Sequence, residues 1–481
     1  MPPSVLDNTY DALRGLADYA SGMLQPSVRV GVTGLARSGK TVFTTALVRH
    51  LVEGTPLTAF RASAEGRIRR ARLAPQPDDA VPRFPYEAHL RALEEGRLWP
   101  GSTTQISELR VDIEFERPAG RWRGGAATLS VDIVDYPGEW LLDLALLDAG
   151  FADWSRDTIV ASRVPERAVL AAPWHAQLGR LDPSGEPDEV AIGEAADAFK
   201  AYLAALRAGP EAVATTPPGR FLMPGDLAGS PALTFAPLDL KSGEDIRPGS
   251  LGALMERRFE AYKTHVVRPF FRDHFQRIDR QIVLVDVLAA VDAGPAALAE
   301  LEVALDRVLM AFRAGRNTIF SSLFSPRAER VLFAATKADH VHHTAHARLE
   351  ALLRLLVNRA VKRTEAAGAK VGVVALASVR ATRETTVRDG LQTLRTVAGT
   401  PEAGERVGDE VFDGGTEAAI FPGELPERAG AIFEGAVPPG SFRFPRFRPP
   451  RLAPDAGGRR PALPHIRLDR AVEFLIGDRL Q

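Results

Sequence analysis

Residues 27–41 read Ser27-Val-Arg-Val-Gly-Val-Thr-Gly34-Leu-Ala-Arg-Ser-Gly39-Lys40-Thr41, a short apolar strand that runs into Gly-x4-Gly-Lys-Thr. Glycines at 34 and 39 let a loop turn its N–H groups toward a phosphate, and the helical run Val42 to Leu51 then points the positive end of its dipole at the same place. Within this loop, Arg37 and Ser38 complete the phosphate-facing turn, Lys40 supplies a mobile ammonium for β and γ oxygens, and the Thr41 hydroxyl suits a Mg2+ ion.

Further motifs lie downstream of the loop in the order a nucleotide site requires. Val111, Ile113 and Phe115 alternate with charged residues, as do Leu129, Val131 and Ile133, which predicts an antiparallel hairpin at a sheet edge. Its second strand ends in Asp135-Tyr-Pro-Gly138-Glu139-Trp140. A carboxylate in that position holds a Mg2+-bound water, and Gly138 leaves its N–H free to approach a γ-phosphate. Glu139 either orients or deprotonates the attacking water, or is a solvated surface charge. In Trp99-Pro-Gly-Ser102-Thr103-Thr104 the hydroxyl of Thr103, ahead of Ser102 and Thr104, is the candidate to meet Mg2+ and the γ-phosphate. Arg37 and Arg97 are the candidates for stabilising transition-state charge within the chain.

Another strand ends in Thr336-Lys337-Ala-Asp339. An aspartate there accepts both N–H donors on the guanine edge, whereas adenine presents an acceptor and leaves the carboxylate unpaired. Ser378, in Leu-Ala-Ser-Val after the following strand, fits a short base-contacting loop. Guanine nucleotide is therefore favoured over adenine.

The remaining sequence places these motifs on one fold. Compact apolar runs at 281–286, 330–335 and 370–376, separated by helical periodicity at 294–314 and 343–366, predict a doubly wound α/β domain. Expected boundaries are an N-terminal amphipathic helix (1–26), a first nucleotide-binding part (27–140), a helical insertion (141–280) and a second nucleotide-binding part (281–385). An extended Pro- and Gly-rich region with a final helix closes the chain (386–481). Residues 54–106 read as basic and loop-rich. The aromatic and basic alternation at 442–451 reads as an edge strand packing its phenylalanines inward, with contact to an acidic partner or membrane as the rival reading.

Composition narrows the function classes. The 481 residues carry a formal net charge of −1 and no cysteine, which argues against a nucleic-acid partner and excludes thiol chemistry. The first residues lack the basic start and apolar run of a signal peptide, and no apolar run approaches the ~20 residues of a transmembrane segment. His340, His342, His343 and His346 read as a solvated helix entrance rather than a metal site, because no acidic cluster accompanies them.

Taken with Gly219-Arg-Phe-Leu-Met-Pro-Gly-Asp226, Phe421-Pro-Gly-Glu-Leu-Pro426 and the tail Leu463 to Asp478, these motifs resemble the YcjX-like family of bacterial P-loop GTPases over nearly the whole length. The resemblance implies a Ras-like doubly wound P-loop NTPase domain with a large, mainly helical insertion and an extended C-terminal region. It further implies GTP or GDP binding with Mg2+ and slow GTP hydrolysis as a conformational switch. A cytoplasmic stress-response protein working beside the inner membrane with an integral membrane partner is also implied. Carried over, Lys40 and Thr41 bind phosphate and Mg2+, Asp135 and Gly138 form the switch, and Lys337 and Asp339 read guanine. Thr336 stands where the family pattern has Asn. On the residues alone, an ATP-dependent kinase or ATPase and a nucleotide-stabilised docking protein are the alternatives.

Overall fold

In the computed structural model the described residues are 26–35, 37–101, 105–118, 125–208, 216–224, 227–240, 246–310, 328–366, 368–390, 392–438, 440–454 and 461–481. The expected N-terminal helix, Thr103 and its neighbours Ser102 and Thr104 lie outside them.

Strands β1 (Ser27–Gly34), β2 (Ile68–Ala74), β3 (Ser107–Glu116), β4 (Ala126–Asp135), β5 (Arg280–Val285), β6 (Arg330–Ala335) and β7 (Lys370–Ala375) form one sheet in the order β2-β3-β4-β1-β5-β6-β7. The five strands from β4 to β7 in that order run parallel, with Val32 of β1 opposite Asp135 of β4 and Gly34 opposite Leu284 of β5. Strands β3 and β2 are antiparallel additions. Val28, Val30 and Val32 are at most 1 % exposed, as a central strand covered on both faces requires.

One face carries the helix Lys40–Val52 and the final helix Leu468–Ile476, which bury Phe43, Leu47, Val472 and Leu475 against Ile133, Leu284 and Leu332. The last helix is fastened by charge as well as packing. Asp469 accepts from the Ala59 N–H at 2.9 Å, and the fully buried Arg280 donates to the Leu475 carbonyl at 3.1 Å and to Asp478 at 3.0 Å. The other face carries the helices Pro295–Met310 and His346–Leu356. The helices between β4 and β5, among them Phe151–Ser162, Pro165–Leu178, Glu189–Ala208 and Leu251–Tyr262, share that core. Trp154, Phe199 and Phe259 thus belong to the same apolar cluster as Val285 and Phe333.

Two segments differ from the sequence reading. The basic stretch before the hairpin contains β2, so the hairpin is not the sheet edge. The edge strand exposes Arg69, Arg70 and Arg72 and buries only Ala71, so its charges hid the alternation while protecting the edge from further pairing. Within the extended C-terminal region, β8 (Arg383–Asp389), β9 (Gln392–Gly399) and β12 (Ala418–Ile420) form a second sheet, with a small hairpin of β10 (Arg406–Val407) and β11 (Glu410–Val411). Its strands are polar or very short and its fully buried core among the described residues is Val397, Phe412, Ile420 and Phe447, so no long apolar pattern announces it. Residues 442–451 make no regular edge strand; Phe447 is 2 % exposed and joins this sheet's core through a single bridge to Pro401.

Candidate nucleotide site

The carboxyl ends of β1, β4, β6 and β7 open onto one cavity of about 350 Å3, within the size range of small-molecule sites. At its floor the loop after β1 turns tightly. A Cβ on Gly34 would fall 2.3 Å from the Leu284 carbonyl, and one on Gly138 would fall 1.9 Å from the Gly34 carbonyl, so the segment after β4 rests directly on the loop. Gly34, Asp135 and Gly138 lie behind the cavity wall, whereas Arg37, Ser38, Gly39, Lys40 and Thr41 line it.

Lys40 is 7 % exposed and folds over its own loop, donating to the carbonyls of Gly34 at 2.7 Å and Leu35 at 3.2 Å. The helix behind it carries no acidic residue in its first turn, which keeps its N-terminus positive. The Thr41 hydroxyl donates to the Gly101 carbonyl at 3.4 Å, so residues 99–101 form the adjoining wall.

The opposite end is built by the motif after β6. Thr336 bonds the Val285 carbonyl at 3.3 Å, Lys337 adopts a left-handed conformation (φ 57°) and pairs with Asp286, and Asp339 is 4 % exposed. Asp339 accepts the Ala381 N–H at 2.8 Å, and the Ala338 N–H donates to the Leu376 carbonyl, which locks this loop to the one after β7 that carries Ser378. Thr336, Lys337, Asp339 and Ser378 all line the cavity. The sequence-predicted phosphate and base motifs therefore meet in one place.

Glu139 also lines the cavity, but at 6 % exposure it is not a solvated surface charge. It pairs at 2.8 Å with Arg207, at the end of the helix Glu189–Ala208. Nothing near Arg207 in the sequence marks it. Arg97 is not in the cavity: it donates to the Pro449 carbonyl at 3.0 Å and to Thr400 at 3.3 Å. Its guanidinium instead ties the wall to the C-terminal segment.

That segment supplies further lining residues that the sequence reading assigned to an edge strand. Phe447 closes the Asp339 end of the cavity, with the His340 ring edge-on to it at 5.2 Å. Arg446 pairs with Glu405 at 2.7 Å and lies near Glu402. Burial holds the His340 imidazole below its ordinary pKa.

The histidine run is not a uniformly solvated entrance. His340 and His346 are buried, His346 bonding the Ala338 carbonyl at 2.8 Å. The carboxylate missing from the local sequence arrives from β8: Glu384 lies 2.6 Å from His343 and 3.4 Å from His342.

The residues present fit a Mg2+ ion. Its hard-oxygen preference is met by the Thr41 hydroxyl at the cavity wall and the buried Asp135 carboxylate behind it, and the Ser38 hydroxyl, 1 % exposed, has no hydrogen-bond partner among the described residues.

A mostly parallel sheet with a Gly-x4-Gly-Lys-Thr loop at its carboxyl edge defines the class of P-loop NTPase folds. A sequence model of the YcjX-like family matches residues 28–480, and the chain belongs to that family. It is 36 % identical over 468 residues to the Ras-like GTPase YcjX of Escherichia coli K12, covering 94 % of this chain and 96 % of that protein. It is 32 % identical over 488 residues to the Ras-like GTPase YcjX of Shewanella oneidensis, with 94 % and 95 % covered. The fold is accordingly a Ras-like α/β fold. No helix among the described residues is long and apolar enough to cross a membrane.

Proposed function

We propose that this protein binds GTP and GDP with Mg2+ in the cavity and hydrolyses GTP slowly, its conformation being the output. The observation that carries this reading is the convergence of Lys40, Thr41 and Asp339 on one cavity. The names of its relatives, both Ras-like GTPases, support the same activity.

In this reading the loop N–H groups and Lys40 hold the β- and γ-phosphates, which draws Nζ off the Gly34 and Leu35 carbonyls. Thr41 and Asp135 would hold Mg2+, which when bound neutralises developing phosphate charge. Asp339 accepts the two guanine N–H donors, with Phe447 and Lys337 bordering the base and Ser378 in the adjoining loop. Thr103 would join the γ-phosphate and Mg2+, and Glu139 would place the attacking water. A role in a bacterial stress response, in the cytoplasm beside the inner membrane, rests on the family resemblance.

The test is calorimetric titration of nucleotide-free protein with GDP and with ADP in Mg2+. GDP binding with ADP at least ~100-fold weaker supports the assignment; equal binding, or preference for ADP, removes it.

A further inference from the structure

Among the described residues, five Lys and Arg side chains line the cavity, and four of them have evident duties or positions. Lys40 covers the loop carbonyls, Lys337 pairs with Asp286, Arg446 pairs with Glu405, and Arg37 is an exposed residue of the loop itself with φ 61°. The fifth, Arg207, enters from outside the nucleotide-binding sheet. It sits in the last turn of the helix Glu189–Ala208, 22 % exposed, and its Nη2 lies 2.8 Å from Oε1 of Glu139.

The position of Glu139 fixes where Arg207 can act. Gly138, one residue before it, packs against Gly34, whose carbonyl is bonded by Lys40. The Arg207–Glu139 pair thus stands at the phosphate end of the cavity, across from Asp339 and Phe447. An ion pair of this kind occupies both groups while no phosphate is present. A nucleotide's γ-phosphate, with more negative charge than one carboxylate, competes for the guanidinium and frees Glu139 in the same exchange.

We infer that Arg207 is a catalytic residue supplied within the chain by the helical insertion: its guanidinium moves from Glu139 to the transferring phosphoryl group and stabilises the transition state of GTP hydrolysis. The step rests on the nucleotide reading above. Water oxygen forms a bond to the γ-phosphorus as the bond from that phosphorus to the β–γ bridging oxygen breaks. The bridging oxygen leaves with the electron pair on GDP, and the water protons remain with inorganic phosphate and solvent. Arg207 donates to the bridging and γ oxygens where this charge develops, and the released Glu139 faces the water.

The experiment measures single-turnover hydrolysis of preloaded GTP by the full chain, with GDP affinity and binding of aluminium fluoride in the presence of GDP measured alongside. Arg207→Ala is expected to slow hydrolysis by about 100-fold or more, to leave GDP affinity within about threefold, and to abolish the aluminium fluoride complex. Arg207→Lys is expected to show the same loss, because an ammonium lacks the planar fork, and millimolar guanidinium is expected to restore part of the Arg207→Ala rate. Wild-type rates and a formed aluminium fluoride complex in both variants, with GDP still bound, would overturn the assignment of Arg207 while leaving the nucleotide site standing. A wild-type chain that binds no GDP would instead overturn the nucleotide reading and the arginine with it.

Discussion

The indole Nε1 of Trp99 donates a 2.6 Å hydrogen bond to the carbonyl oxygen of Phe447, 348 residues further along the chain. Two residues before Trp99, Arg97 bonds the Pro449 carbonyl and the Thr400 hydroxyl. The segment that leads to the expected γ-phosphate contact is thereby strapped to the small C-terminal sheet. Movement of residues 97–101 on nucleotide binding would pass directly to residues 446–449. Trp99→Phe keeps the ring and removes the donor, and it is expected to speed hydrogen exchange at 446–449 in the nucleotide-free protein. Unchanged exchange there would show that the strap carries no coupling.

Lys40 is held by two loop carbonyls in this structure, so its ammonium has a structural role as well as a proposed phosphate role. Lys40→Ala is expected to weaken GDP binding about 100-fold, on the order of 3 kcal/mol. The loss of unfolding free energy in urea titration is expected to be about 1–3 kcal/mol, since hydrogen bonds to a charged group are removed. Equal GDP affinity in variant and wild type would place the phosphates elsewhere.

Backbone contact between Gly138 and Gly34 gives a sharper structural test. In Gly138→Ala the new methyl would begin 1.9 Å from a carbonyl oxygen, and neither partner is a flexible side chain. Overpacking of this kind destabilises by about 1–3 kcal/mol, and the displaced loop should slow GTP hydrolysis. Urea unfolding and single-turnover kinetics check the two effects separately.

Asp143, four residues after Glu139, ties its segment to Gly219 and Tyr262. Its fully buried carboxylate accepts from Tyr262 at 2.6 Å and from the Gly219 N–H at 2.6 Å, yet burial lifts its pKa to about 6. The folded protein therefore keeps this proton at pH values where the unfolded chain, with a carboxyl pKa of about 3.9, has lost it. The contribution of this group is greatest below about pH 4 and falls as pH rises through 6, by about 3 kcal/mol at most. Urea midpoints from pH 4 to 7 should show that decline in the wild type and a flatter profile in Asp143→Asn.

Much of the candidate nucleotide site was legible because its residues are local in the sequence. Gly34 to Thr41, Asp135 to Glu139 and Thr336 to Asp339 each follow an apolar strand, and a doubly wound sheet brings the carboxyl ends of those strands together. What escaped is what arrives from a distance. Arg207 is an unremarkable residue at a helix end until the fold sets it against Glu139, and Glu384 joins two histidines only because β8 returns beside them. Phe447 and Arg446 were visible as a pattern, but alternation alone cannot say that one member faces a cavity. Strand β2 was hidden by the arginines that guard its exposed face.

Asp339 carries the central claim, since it separates a guanine site from any other P-loop site. The direct measurement is titration of Asp339→Asn with GDP and with xanthosine diphosphate. An amide at 339 offers a donor where the carboxylate accepted, so GDP should bind at least ~100-fold more weakly and xanthosine diphosphate should bind more tightly than GDP. GDP binding at wild-type strength in this variant would contradict the account.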